Sequence, residues 1–285
     1  MLGAIAGDTI GSVYEFDNIK TKDFPLFVQR STFTDDSVMT MAVARWLTQG
    51  SDRTQADLER SMVDFGTHFP DAGYGGGFKC WLFYPHELRP YNGAQPSHNR
   101  HPYNSFGNGS AMRASACGWK FDTLADTEYW AEQSSIITHN HPEGVKGAQA
   151  TAGAIFMARN GASKVEIRNY IEQRYGYKLD FTCDEIRPYY RFNETCQDTV
   201  PQAIVAFLES TDFEDCVRLG VSLGGDTDTL CCIACSIAEA YYGGVPESIA
   251  LEVWRRVPKL FKSTMIDFAA CSAYRLPECC LSARR

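Results

Sequence analysis

The sequence predicts an all-α fold, and three observations carry that expectation. Apolar residues recur with the 3.6-residue rhythm of helices nearly throughout. Runs of alternating β-branched residues, from which sheets are built, are nearly absent. The composition, 44% hydrophobic and 22% charged over 285 residues with 12 prolines, suits one large core-bearing domain spanning residues 1–285.

The stretch MLGAIAGDTIGSVYEF (1–16) opens the chain. It is apolar enough to raise a membrane segment, but Asp8 and Glu15 interrupt it and no basic segment leads it, so it reads as a buried helix. No membrane partner is expected. Gly3, Gly7 and Gly11 form a strip on that helix where another backbone can approach closely. Asp8 and Glu15, seven residues apart, are expected on one face of it. After Asp36, Val38, Met41, Ala42, Trp46 and Leu47 keep the helical rhythm. Three glycine-rich or polar loops follow, at 71–78 (DAGYGGGF), 91–104 and 105–112 (SFGNGSAM), and loops of this length in a compact protein are commonly functional. Helix cores recur at 148–158, 204–208 and 230–242. The polar aromatic segment from Tyr175 to Asp198, containing Pro188, reads as a surface excursion, and Cys279 and Cys280 are expected to fray with the tail.

Charge narrows the function. The 27 Lys and Arg against 35 Asp and Glu give a formal charge of −8. The basic residues are scattered, which leaves no footprint for a nucleic-acid groove. Eleven cysteines, an odd count in a long chain without a signal peptide, point to a reducing cytoplasm.

Two acidic clusters carry the chemistry. FTDDS (33–37) and SLGGDTDTL (222–230) each stand immediately before an apolar helix. Capping explains one acidic residue at a helix start, because its oxygen accepts a free backbone N–H. It does not readily explain both Asp226 and Asp228. In an irregular turn those two can converge with the Thr229 hydroxyl. The carboxylates and threonine hydroxyls of the two turns form an all-oxygen set suited to a hard divalent cation, Mg²⁺ or Mn²⁺, and two ions balance that much charge better than one.

The motifs GDTIGSVYE (7–15), FTDDS, GYGGGF, SFGNGSAMR, THNHPEG (138–144) and SLGGDTDTL occur in that order over nearly the whole chain. As a set they resemble the ADP-ribosylglycohydrolase family. The resemblance implies a compact orthogonal helical bundle with a dinuclear Mg²⁺ or Mn²⁺ site at the mouth of a cleft that takes ADP-ribose. The implied activity is removal of ADP-ribose from a modified protein or other acceptor by cleavage of the glycosidic bond at the distal ribose. The implied metal ligands are Thr34, Asp35, Asp36, Asp226, Asp228 and Thr229. Glu15 matches the family's mobile glutamate near the metals. Gly75, Gly76 and Gly77 match a diphosphate contact, and Ser105, Phe106, Gly107, Asn108 and His139 match positions that hold diphosphate, adenine and distal ribose. Residue chemistry agrees: glycine loops present N–H groups to phosphates, and an aromatic face suits adenine. Carboxylates are the usual acid and base for glycosidic cleavage, which nominates Glu15 and Asp36.

Other features read as structural. Cys231, Cys232 and Cys235 begin an apolar helix and are expected to be buried hydrophobes. His139 and His141 lack a third nitrogen or sulfur ligand for zinc, so His139 is expected at the ligand and His141 in loop packing. Asp8 is either a supporting acid or a satisfied helix carboxylate, and Asp71 is a further acid near the glycine loop. The family includes non-catalytic relatives recruited as lens crystallins. A merely structural chain would hold crowded carboxylates at a cost without return, and this chain keeps all six ligand positions and Glu15. Hydrolysis of another nucleotide-like ligand is the remaining alternative. The acceptor linkage and the oligomeric state are not written in the sequence.

Overall fold

The computed structural model describes residues 1–50, 52–85 and 100–282. The expectation of a functional loop at 91–104 therefore lies partly outside the described residues. In chain order the helices are α1 (Leu2–Gly11), α2 (Asp35–Thr48), α3 (Gln55–His68), α4 (Gly76–Phe83), α5 (Gly109–Met112), α6 (Ser115–Lys120), α7 (Leu124–Ile136) and α8 (Pro142–Arg159). They continue as α9 (Lys164–Tyr175), α10 (Cys183–Ile186), α11 (Cys196–Glu209), α12 (Phe213–Leu223), α13 (Thr227–Tyr241), α14 (Glu247–Arg256), α15 (Lys259–Ala270) and α16 (Glu278–Ser282). No strand occurs among the described residues; the one extended pairing is an isolated bridge between Gly107 and Thr195. The fold is all-α, as the periodicity predicts. No described helix is long and apolar enough to cross a membrane.

The central feature is α1 lying on α13, both buried along their lengths. The glycine strip makes this possible. A Cβ at Gly3, Gly7 or Gly11 would sit 2.5, 2.1 or 2.4 Å from the carbonyl oxygens of Cys235, Cys231 and Thr227. The three helix-start cysteines fill the same packing as small hydrophobes: Cys231, Cys232 and Cys235 are fully buried, and burial pushes their thiols well up. Gly7→Ala is expected to cost about 2–3 kcal/mol by overpacking, or about 5–10 °C in Tm. Gly50→Ala, where a Cβ meets nothing within 4 Å, is the control, and equal melting of the two variants would contradict the close approach.

Three expectations are corrected. α1 ends at Gly11, and Glu15 stands in the turn beyond it, so Asp8 and Glu15 do not share a helix face. The segment 175–198 is not a surface excursion: Tyr177, Leu179, Cys183, Ile186 and Tyr190 are buried in the core. Its apolar residues come singly among polar ones, which hides the burial from a periodicity argument. Cys280 does not fray; it is buried in α16 with its Sγ 3.9 Å from the Ala250 carbonyl of α14.

Candidate active site

The two acidic turns are delivered to one place by helix starts. Thr34 caps α2, its hydroxyl accepting the Asp36 N–H at 3.4 Å. Gly224 and Gly225, at φ 68° and 79°, turn the chain sharply into α13, a conformation open to glycine at little cost. Asp226 then occupies the N-cap position of α13 but makes no capping bond with its side chain. Capping therefore does not account for its carboxyl. The Thr229 hydroxyl donates to Asp36 Oδ2 at 3.1 Å, joining clusters 193 residues apart in sequence.

Asp8 proves to be the support under this arrangement. Fully buried, it accepts the Thr34 N–H (2.9 Å) and hydroxyl (2.8 Å), the Ser37 N–H (3.1 Å) and the Ser37 hydroxyl. Burial still pushes it up to about 6 against these donors. Its contacts tie α1 to the first turn of α2. On the other side, Asn108 donates its amide to Asp226 Oδ2 at 2.7 Å and Thr199 Oγ1 at 3.1 Å.

The electrostatics are those of crowded acids. Burial first, then the neighbouring carboxylates, push Asp35 and Asp228 up to about 8, and Asp36 and Asp226 well above the usual carboxylate range. Half-buried Glu15 rises to about 7 by burial and by Asp226 beside it. Glu15, Asp226 and Asp228 each offer an oxygen within 4.8 Å of the others. Asp36 Oδ1 and Asp228 Oδ1 are buried with no hydrogen-bond partner. Such an orphaned oxygen costs about 1–3 kcal/mol. An all-oxygen set short of donors is the chemistry a hard cation satisfies, so these residues fit a metal.

These groups form one end of a cavity of about 290 Å³. Glu15, Thr34, Asp35, Asp36, Asp226, Asp228 and Thr229 line it, together with Gly75, Gly76, Gly77, Ser105, Gly107, Asn108 and His139. A Cβ at Gly75 or Gly76 would meet no protein atom within 4 Å; these glycines keep open space at the N-terminus of α4, where N–H groups are free. Phe106 is outside the lining and 45% exposed, with its ring edge-on to His141 at 5.3 Å. His141 itself caps α8 by accepting the Glu143 N–H at 3.1 Å. Asp71 is exposed and away from the cavity lining.

His139 is neutral, because burial and then the Arg113 charge hold its pKa well below the usual histidine value. Thr138 Oγ1 accepts from Arg113 Nη2 at 2.8 Å and lies 2.7 Å from His139 Nδ1. Since Arg113 only donates, the buried hydroxyl hydrogen is satisfied by the Nδ1 lone pair, which leaves the ring proton on Nε2. Nε2 lies beside Gly107 and Gly109.

Sequence reasoning passed over Tyr103, Arg113 and Glu194, all of which line the cavity. Arg113 sat inside the quoted SFGNGSAMR motif, yet nothing in the pattern shows that it is buried. Glu194 arrives through long-range pairing: Asn108 N–H donates to its carbonyl at 2.7 Å, and Cys196 N–H to that of Phe106 at 2.9 Å.

Comparison with known proteins gives the family of the chain. The chain is 28% identical to mouse ADP-ribosylhydrolase ARH3, covering 97% of this chain and 90% of that protein. The human protein of that name is 27% identical over 97% and 92%. The ADP-ribosylarginine hydrolase Tri1 of Pseudomonas putida (strain GB-1) is 25% identical, over 91% of this chain and 78% of that protein. A solved structure titled ADP-ribosylglycohydrolase-related protein complex superposes with a TM-score of 0.64 at 21% identity, covering 95% of this chain and 96% of that one, and shares the fold. The protein is a glycosidic-bond hydrolase. It belongs to the ADP-ribosylglycohydrolase family, whose family model matches residues 1–270.

Proposed function

We propose that this protein removes ADP-ribose from a modified acceptor by Mg²⁺- or Mn²⁺-dependent hydrolysis of the glycosidic bond at the distal ribose. The observation that carries the reading is the meeting of the two acidic turns, with two orphaned carboxylate oxygens, at one end of a cavity edged by glycines. Thr34, Asp35, Asp36, Asp226, Asp228 and Thr229 would hold two divalent ions. Bound there, the ions would polarise substrate oxygens and orient water.

The remaining steps fall to the chain. The N–H groups at Gly75–Gly77 bind the diphosphate, helped by the Nε2–H of His139 and by Ser105, whose hydroxyl oxygen accepts the Gly107 N–H at 3.1 Å. Phe106, at the rim, offers a face to adenine. Glu15 gives a proton to the leaving atom or takes one from water. Asn108 orients Asp226 as well as facing the ligand.

Cleavage of ADP-ribosylated peptides with Mg²⁺, with Mn²⁺ and with EDTA tests the reading. Release of ADP-ribose only with metal is expected, and metal-independent release would refute it. Two variants separate the ends of the cleft. Phe106→Ala is expected to weaken ADP-ribose binding by about 0.5–1.5 kcal/mol with metal content intact. Asn108→Ala is expected to weaken both ADP-ribose and metal binding, by about 10- to 100-fold for the metal, because its amide holds Asp226.

A further inference from the structure

Arg113 is a buried cation on the cavity wall for which the described residues supply no counter-charge. It stands at the C-cap of α5, is 1% exposed, and lines the cavity together with Gly77, Gly109 and His139. Its Nη2 donates to the carbonyls of Ser134 (2.8 Å) and Ser135 (3.4 Å) in the last turn of α7, and to Thr138 Oγ1 (2.8 Å). These acceptors carry only partial charge. Nε is buried with no hydrogen-bond partner, and no carboxylate among the described residues forms an ion pair with the guanidinium. Burial brings its pKa down to about 10. The groups that oppose this fall, Tyr103, Cys196 and Cys117, are themselves held protonated by burial. The charge therefore persists at neutral pH and stays unbalanced.

A buried charge without a partner is costly to keep. Its position identifies the group that offsets the cost. The guanidinium carbon lies 5.8 Å from the centre of the Phe78 ring, in the first turn of α4, where the N–H groups of Gly75–Gly77 are presented. Through Thr138 it reaches His139, which supplies the other donor to the diphosphate. Arg113 thus stands behind both structures that the diphosphate meets.

The balance of charge in the cavity points the same way. Among the described lining residues Arg113 is the one cation, against six carboxylates: Glu15, Asp35, Asp36, Glu194, Asp226 and Asp228. Those acids suit cations and repel an anion. A doubly charged diphosphate in the same cavity needs positive charge at its own end. In a dry wall a full charge acts with little screening by salt, so contact is not required.

We infer that Arg113 is the buried counter-charge of the ligand's diphosphate, a positioning residue that attracts the anion through the cavity wall and, through Thr138, keeps the His139 Nε2–H available to it. This rests on the ADP-ribose reading above.

The test measures ADP-ribose affinity and single-turnover cleavage on the full chain with Mg²⁺. Arg113→Met keeps the length of the side chain and removes the charge, and is expected to weaken ADP-ribose binding about 10- to 50-fold. The loss should fall on KM, with metal content intact. Arg113→Lys retains the charge without the planar fork and should come back to within about fivefold of wild type. A purely structural role would give no such rescue. A measurement on the wild-type protein decides the matter even if Arg113→Met does not fold: the unpartnered Arg113 Nε–H resonance is expected to shift on addition of ADP-ribose and to stay in place with adenosine, which lacks the diphosphate. Unchanged ADP-ribose affinity in Arg113→Met, a lysine variant no better than the methionine one, or an Nε–H unmoved by saturating ADP-ribose or moved equally by adenosine would overturn the assignment while leaving the ADP-ribose reading intact. Failure of the wild-type protein to bind ADP-ribose would instead remove that reading, and the assignment with it.

Discussion

Glu15→Gln is expected to slow single-turnover cleavage of an ADP-ribosylated acceptor by about 10²–10⁴-fold, while ADP-ribose affinity stays within about twofold. Glutamine keeps the size and hydrogen-bonding reach of the side chain but neither gives up nor holds the proton in transit. Glu15 stands in the turn after α1 and outside the six-residue metal set, but its carboxylate offers an oxygen within 4.8 Å of those of Asp226 and Asp228, so metal content is measured alongside. In the metal-free protein burial and then Asp226 push the carboxyl up to about 7, and bound cations oppose the second of these effects. The measurement is single-turnover cleavage at saturating enzyme and Mg²⁺, with ADP-ribose binding followed in parallel. Cleavage near the wild-type rate would pass the acid–base role to the aspartates, Asp36 first.

The second large effect is on stability and follows from the same crowding. Asp35 and Asp228 sit at about 8 in the metal-free protein, against about 3.9 for an unfolded aspartate. Between these values the folded state binds more protons than the unfolded one, so stability falls as pH rises from about 4 to 8 and levels off above. Divalent cations reverse the trend, because they stabilise the ionised carboxylates whose mutual repulsion causes it. Melting curves without metal are expected to shift down from pH 5.5 to 8. Mg²⁺ at about 100 times its Kd should contribute about 2.7 kcal/mol, or about 5–10 °C, at pH 8. The gain shrinks as pH falls towards 6, where protons compete for the same oxygens. A Tm that rises with pH in EDTA, or that ignores Mg²⁺ at pH 8, would contradict a cation site among these aspartates. Asp36→Asn should show the smaller pH slope of a site with one charge fewer.

Helical periodicity, the spacing of Gly3, Gly7 and Gly11, and two helix-start turns with more acid than capping needs are all local patterns. They were enough to recognise the fold class, the packing strip on α1 and the candidate metal end of the cleft. Local pattern works there because helix starts, glycine contacts and cap chemistry depend on residues only a few positions apart. Tertiary packing decided the rest. Whether Asp8 supports or merely sits on α1 depended on Thr34 and Ser37, which α2 brings above it. Glu15 left the helix because the chain turns after Gly11, and no residue type marks that turn strongly. Arg113, Tyr103 and Glu194 entered the cavity through contacts between segments far apart in the chain. Burial and charge crowding, which set every shifted carboxyl here, are properties of that assembled neighbourhood, since a carboxylate's proton affinity responds to what lies within a few ångströms in space.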